Sequence, residues 1–95
     1  MKKTFVLDIL FDNFDMEYVN NDIDSFEFSE WLADIKERYG VKVWTHENRL
    51  FVSKENEMPM FKLDSYGNLT LTLGDTNNDI WSVNVAPKEI KVNII

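Results

Sequence analysis

The sequence contains no cysteine and one histidine. Without a thiol, the chain can form no disulfide bond, no thiolate metal site and no cysteine nucleophile. His46 on its own cannot build a metal site that needs several histidines. Its neighbours are turn residues, and a hairpin turn excludes water poorly, so His46 is a weak candidate for a general base. We therefore expect a protein that is not an enzyme, with no catalytic, metal-binding or cofactor-binding residue.

Long apolar runs and a cleavable leader are also missing. No segment approaches the roughly 18 to 20 apolar residues that cross a bilayer as a helix. Lys2 and Lys3 precede an apolar stretch, but Asp8 and Asp12 interrupt it and no small-residue cleavage site follows. These absences predict a cytoplasmic protein that has no membrane partner.

Glycine and proline are scarce, with three and two residues, and no glycine-rich phosphate loop is present. Hydrophobic residues make up 44% of the chain and include seven phenylalanines and three tryptophans. This content lies far from the low-hydrophobicity signature of disordered chains. A chain of 95 residues is long enough for one domain with its own core, and we expect residues 1–95 to form a single compact domain.

Basic residues are absent from residues 8–34, which hold nine carboxylates. The rest of the chain is close to balanced, so this acidic segment carries the formal net charge of −7. Such a charge disfavours direct binding to DNA, RNA or anionic membranes, because phosphate contacts need clustered lysine and arginine. The nine acids are Asp8, Asp12, Asp15, Glu17, Asp22, Asp24, Glu27, Glu30 and Asp34.

Residues 24–39 have the pattern of an amphipathic helix. Asp24 is the expected N-cap, and Glu27 at the third helical position completes a capping box. Gly40 is expected to end the helix in the left-handed conformation. Apolar residues recur between these ends at the spacing of a core-facing stripe. They are Phe28, Trp31, Leu32, Ile35 and Tyr39.

The remaining segments predict strands and one loop. Residues 3–12 alternate as a central strand, with Asp8 and Asp12 towards an end or rim, whereas residues 13–23 have no sustained period and are expected to be a loop. Six short strands follow the helix. The order β-α-β-β-β-β-β-β predicts an α+β fold, an antiparallel meander of about six to seven strands with one helix on one face. The six strands are predicted at 41–45, 49–53, 60–64, 68–73, 80–85 and 88–94.

Four carboxylates form an acidic stripe along the predicted helix, within roughly 80° of one another and away from its apolar face. The helix dipole accounts for Glu27 near the N-terminus. It does not account for the other three, because Asp34 and Glu37 lie in the half where the dipole disfavours acids, and neighbouring acids repel. A functional role is therefore favoured. Phe26 lies off the apolar stripe and is either an exposed aromatic anchor or folded under the preceding loop. The acidic stripe consists of Glu27, Glu30, Asp34 and Glu37.

We expect the acidic stripe and the acids before it to bind a partner protein. Carboxylates at this spacing roughly resemble the phosphates of a nucleic-acid strand, so they suit a basic groove built for DNA or RNA. The predicted partner is a protein with a basic surface, such as a nuclease or another nucleic-acid-binding effector. The candidate partner-binding residues are Asp12, Asp15, Glu17, Asp22, Phe26, Glu27, Glu30, Asp34 and Glu37.

In size, charge and lack of catalytic apparatus, the chain resembles small acidic inhibitors encoded by phages and mobile elements, such as anti-CRISPR and anti-restriction proteins. It also resembles acidic immunity proteins that neutralise nuclease toxins. The resemblance implies a non-enzymatic inhibitor, and no residue role is carried over because no motif matches. The alternative is an interaction or assembly domain that binds through its sheet face or an edge strand, with the acids serving solubility.

Overall fold

The computed structural model describes residues 3–23, 25–72 and 79–95. In these ranges the chain has the predicted α+β fold, with two helices and seven strands. The elements in chain order are β1 (Thr4–Leu10), α1 (Asn13–Ile23), α2 (Phe26–Tyr39), β2 (Lys42–His46), β3 (Arg49–Glu55), β4 (Met60–Leu63), β5 (Leu69–Thr72), β6 (Asp79–Val83) and β7 (Glu89–Ile94).

β1 is a central strand, as its alternating sequence predicts. It lies in an antiparallel four-stranded sheet of order β2-β3-β1-β7. Leu7 pairs with Val52 of β3 on one side and with Val92 of β7 on the other. Leu7 and Ile9 are fully buried, and Phe11 continues the same face just beyond the strand. Side chains two residues apart share one face of a strand, so β1 presents a continuous apolar row to the core.

Asp8 lies in the middle of β1, so the prediction that it sits towards an end or rim is wrong. Its carboxylate is 3.0 Å from the guanidinium of Arg49 on β3, and this cation compensates the charge within the sheet. Asp12 does lie beyond the end of the strand, where it is exposed.

Strands β4, β5 and β6 form a second sheet of order β4-β5-β6, which corrects the predicted single meander. Asn56 has a φ of 64° and Pro59 has no backbone N–H, so the segment that leaves β3 does not continue the first ladder. Leu69 and Leu71 of β5 are buried as predicted, while residue 73 of that predicted strand lies outside the described residues. Alternation shows which residues face inward, but it does not show which strands pair.

The segment predicted as a loop at residues 13–23 is helix α1, so the fold has a second helix that the sequence prediction missed. Met16 and Val19 are buried and Ile23 is partly buried, at the spacing of one helical face. Two adjacent asparagines, which are weak helix formers, obscure this pattern in the sequence. Burial of the apolar face outweighs that weak propensity, because tertiary packing supplies most of a short helix's stability.

Helix α2 begins one residue later than predicted, with Ser25 as its N-cap. The Ser25 hydroxyl accepts a hydrogen bond from the backbone N–H of Phe28 at 3.3 Å. The predicted N-cap Asp24 lies outside the described residues, and the capping role belongs to Ser25. The predicted end is confirmed, since Gly40 has a φ of 70° and its N–H donates to the carbonyl of Lys36 at 3.0 Å.

One apolar cluster joins both helices and both sheets. Val19 of α1, Ile35 of α2, Leu50 of β3 and Leu71 of β5 are all buried in it. On the opposite face of the four-stranded sheet Trp44 is exposed, whereas Val6 and Ser53 are buried. Neither of the described helices is long and apolar enough to cross a membrane.

Candidate partner-binding surface

Helix α2 presents its acidic stripe to solvent. All four carboxylates are exposed, whereas Ile35 on the opposite side of the helix is buried in the apolar cluster. The helical period produces this separation, because residues three or four positions apart share a face. The structure therefore brings Glu27, Glu30, Asp34 and Glu37 together on one exposed surface.

Phe26 begins α2 and is 76% exposed, so it is not folded under the preceding segment. It lies one turn before Glu30 and shares its side of the helix. Phe28, two residues on, instead turns inward and packs against Trp31 with ring centroids 5.5 Å apart. An exposed phenylalanine beside carboxylates leaves apolar surface that a partner can cover, as aromatic anchors do at interfaces.

Charge compensation on the acidic stripe is incomplete. Asp34 Oδ1 lies 3.1 Å from Arg38 Nε, one turn along the helix, and both side chains are exposed. Such a pair contributes a few tenths of a kcal/mol in a helix. Within the described residues, Glu27, Glu30 and Glu37 have no ion pair. The stripe therefore keeps most of its negative charge.

The acids of α1 do not extend the stripe as one row. Asp15 and Asp22 are seven residues apart, so they lie on the same side of α1 beside its buried face, and both are partly exposed. Glu17 is exposed and lies on the far side of the same helix. α1 packs against α2, so all three acids belong to the same helical layer as the stripe. They give it a broad negative surface without a single line of charges.

Of the predicted partner-binding residues, Asp12 forms the shortest ion pair within the protein. Its carboxylate accepts from the Lys88 amine at 2.7 Å, just before α1 begins. This hydrogen bond raises the pKa of Lys88, and the charges of Asp12 and Asp15 add to the effect against a smaller opposing effect of desolvation. Asp12 is thus a weaker candidate for a partner contact than the other acids, because a competing cation is already in place.

Two exposed aromatic residues on α1 were missed by the sequence prediction. Phe14 is 83% exposed, and Tyr18, one turn further on, is also exposed. Together with Asp15, Asn84 and Val85 they line a shallow depression of about 230 Å³. Their spacing of four residues would have indicated a shared outward face, had residues 13–23 been predicted as helical.

A depression of about 460 Å³ near the C-terminal end of α2 has the opposite chemistry. Three lysines, Lys36, Lys42 and Lys54, line it together with one acid, Glu55, in a protein whose net charge is −7. The amine of Lys54 already bonds to Glu57 at 2.6 Å. The charges of the molecule are thus segregated, with the acids concentrated on the helical layer and cations gathered near the end of α2.

His46 lies at the end of β2 with an exposed side chain, and its Nε2 is 3.8 Å from a carboxylate oxygen of Glu47. This position at a solvated hairpin offers no enclosed site for proton transfer. Among residues 3–23, 25–72 and 79–95, no three histidine, aspartate or glutamate side chains are grouped so that they could hold a metal ion. The acids of the helical layer are spread across a surface and are suited to long-range attraction rather than chelation.

The chain matches no protein-family model, no curated protein and no solved structure, so its candidate surface rests on its own geometry and charge.

Proposed function

We propose that this chain is a non-enzymatic binding protein that acts in the cytoplasm and docks its two-helix acidic layer on a basic surface of a partner protein. A nuclease or another nucleic-acid-binding effector fits as the partner, which makes the chain an inhibitor or immunity-type protein. Anti-CRISPR, anti-restriction and nuclease-immunity proteins have this general profile. The observation that carries the proposal is the combination, on α2, of the exposed ring of Phe26 with three carboxylates, Glu27, Glu30 and Glu37, that form no ion pair with any described residue.

Charge supports this choice of partner. The described residues of α1 and α2 include seven carboxylates but only Lys36 and Arg38 as cations. Neighbouring acids such as Glu27 and Glu30 repel each other in the free protein. A basic partner relieves that repulsion, accelerates association by electrostatic steering and fixes the orientation of the complex.

The aromatic side chains supply contact energy that charge alone does not. Exposed carboxylates keep their water readily, so pairs at the rim of an interface contribute little. An aromatic ring in a pocket of the partner can contribute about 2 kcal/mol or more. Phe26 on α2 is the first candidate, and Phe14 on α1 is a second within the same layer.

The helical conformation of residues 13–23 also supports the proposal. A flexible acidic loop would lose conformational entropy when it bound a partner. In α1, Met16 and Val19 are anchored in the core, so the backbone that carries Glu17 is already ordered. Acids on two packed helices are therefore preorganised for binding.

A charge-reversal experiment tests the proposal. The wild-type chain captures its partner from host lysate, and calorimetry then compares the purified partner's affinity for two double variants. We expect Glu30→Lys with Glu37→Lys to weaken binding at least about tenfold, which corresponds to about 1.4 kcal/mol. The matched control, Glu47→Lys with Glu57→Lys, makes the same change in net charge outside the helical layer and should bind like the wild type.

Salt and competition complete the test. The complex should weaken as ionic strength rises, because screening shortens the reach of surface charges. DNA or RNA should compete with the chain if the partner's nucleic-acid groove is the docking site. Equal binding by both double variants, with no effect of salt, would rule out the acidic layer as the interface.

A second candidate function is supported by the face of the four-stranded sheet that carries Trp44. Trp44 of β2 and Phe51 of β3 are cross-strand partners whose rings stack 5.4 Å apart at an angle of 16°. Trp44 is exposed, so this aromatic pair could anchor a partner on the sheet while the acids serve solubility. Trp44→Ala distinguishes the two functions: it should abolish capture if the sheet is the interface and leave it intact if the helical layer is.

A further inference from the structure

β7 is an edge strand of the four-stranded sheet, since no strand in the described ranges pairs with its outer side. Thr4 and Ile95, just beyond its end, exchange both backbone hydrogen bonds, at 3.1 and 2.9 Å. Hydrogen-bonded and non-hydrogen-bonded pairs alternate along an antiparallel ladder. Because Ile95 and Thr4 form a hydrogen-bonded pair, Val92 and Ile94 lie in non-hydrogen-bonded pairs with β1. Their N–H and C=O groups therefore point away from β1, towards the free edge.

In the part of the chain that the structure describes, this edge has little of the usual protection against pairing. Native edge strands are commonly blunted by proline, a bulge or uncompensated charge. β7 contains no proline and keeps a regular register with β1. Its two charged residues, Lys91 and Glu89, lie 3.5 Å apart and compensate each other. Apolar side chains are nonetheless uncovered here, with Val92 42% exposed and Ile94 60% exposed.

We propose that β7 pairs antiparallel with β7 of a second copy of this chain, centred on Val92, to form one continuous sheet across a dimer. This register sets Val92 opposite Val92 of the second copy and Ile90 opposite Ile94, all on the apolar face. On the other face it sets Lys91 opposite Asn93, so no like charges meet. The outward-directed N–H and C=O groups of both copies face each other in this arrangement.

The local charge of β7 allows a second copy to approach this edge. Two chains that each carry a net charge of −7 repel over most of their surfaces. β7 is locally neutral, because Lys91 and Glu89 are its only charged residues. Two copies can therefore approach at this edge while their acidic layers stay apart.

The dimer axis has a consequence for binding. Pairing two equivalent edge strands with matched faces requires a two-fold axis perpendicular to the sheet. Both helical layers then lie on the same side of the extended sheet. The dimer displays two acidic surfaces in one direction, which suits a partner with two basic sites and raises its apparent affinity by avidity.

Oligomeric state and amide exchange test the proposal on the wild-type chain. Light scattering coupled to size exclusion should show a shift from monomer towards dimer as the protein concentration is raised through the micromolar range. In hydrogen exchange followed by NMR, the amides of Val92 and Ile94 should become protected as concentration rises, since no strand among the described residues pairs with the outer side of β7. A monomer throughout, with both amides unprotected at the highest concentration, would overturn the proposal.

Variants at the edge locate the interface. Val92→Pro removes an outward N–H and spares the ladder to β1, and Val92→Lys places like charges at the two-fold axis. Each should weaken the dimer at least about tenfold in Kd. Thr45→Lys is the matched control on the opposite edge strand, β2, and should dimerise like the wild type. A dimer that survives both Val92 variants but is lost with Thr45→Lys would refute pairing through β7.

Discussion

Arg49 Nη1 donates hydrogen bonds to both carboxylate oxygens of Asp8, at 3.0 and 3.1 Å, across neighbouring strands of the four-stranded sheet. The side chain of Asp8 is 13% exposed and that of Arg49 is 35% exposed. Asp8 is directly opposite Phe51 in the register and Arg49 is opposite Leu10, so the ion pair runs diagonally across two positions on the same face of the sheet. The bond explains how a strand at the centre of the sheet carries an acid in its middle.

Removing this acid should destabilise the protein. Asp8→Ala leaves the partly buried Arg49 without its carboxylate, and we expect a loss of about 1 to 3 kcal/mol in the free energy of unfolding. Arg49→Ala should show at least as large a loss, because it leaves the more deeply buried Asp8 carboxylate without its cation. Urea unfolding of both single variants and the double variant gives the coupling energy, and a value near zero would contradict a stabilising role for the pair.

The core position of α1 predicts opposite outcomes for two of its apolar residues. Met16 is buried, so Met16→Ala should cost about 2 to 5 kcal/mol of stability through lost contacts and a residual cavity. Phe14 is largely exposed, so Phe14→Ala should change stability by no more than about 0.5 kcal/mol. Denaturant unfolding measures both. Equal, small effects would mean that residues 13–23 do not pack as α1 does in the structure.

The N-cap of α2 can be tested with two serines on the same helix. Ser25→Ala removes the hydroxyl that accepts from Phe28 N–H and should cost about 1 kcal/mol. Ser29→Ala removes only a long hydrogen bond, 3.4 Å from the exposed hydroxyl to the carbonyl of Ile23. It should be neutral or stabilising by a few tenths of a kcal/mol, because alanine is the better helix former. Thermal unfolding should therefore rank Ser29→Ala at or above the wild type and Ser25→Ala below it.

The hydrogen bonds of Asp64 in the β4–β5 turn predict that the stability of the protein depends on pH. Its carboxylate accepts from the backbone N–H groups of Asn68 and Tyr66, at 2.9 and 2.8 Å. The bond from Asn68 is the main cause that lowers the pKa of Asp64 below its ordinary value of 3.8, against some desolvation, and Tyr66 adds to the lowering. A lowered folded-state pKa means that this stabilisation is fully present above pH 3.8 and is lost as pH falls through the folded-state pKa.

The Asp64→Ala variant checks this dependence. The stability difference between wild type and variant should be constant near neutral pH and should shrink in strongly acidic solution, below pH 3.8. Urea titrations at several pH values measure the difference. A gap that widens towards low pH would have the wrong sign and would contradict the assigned hydrogen bonds.

Part of the candidate surface was predictable because it depends on a local period. The four carboxylates of α2 and Phe26 lie on the outward side of a helix whose apolar residues recur regularly, and all five are exposed. The contribution of α1 was not predictable in the same way. Its apolar residues are few and its asparagines favour turns, so the outward positions of Phe14 and Tyr18 follow only once the helix is packed.

By itself, the sequence determined the charge distribution, the main helix with its glycine end, and the alternation of the strands. These depend on interactions between residues close in the chain: helix capping, side-chain period and the left-handed turns at Gly40 and Gly67. Only the tertiary structure decided that residues 13–23 become helical, that the strands divide into two sheets, and that β7 returns beside β1. Contacts between distant residues decide such features, as between Asp8 and Arg49, and no local period encodes them.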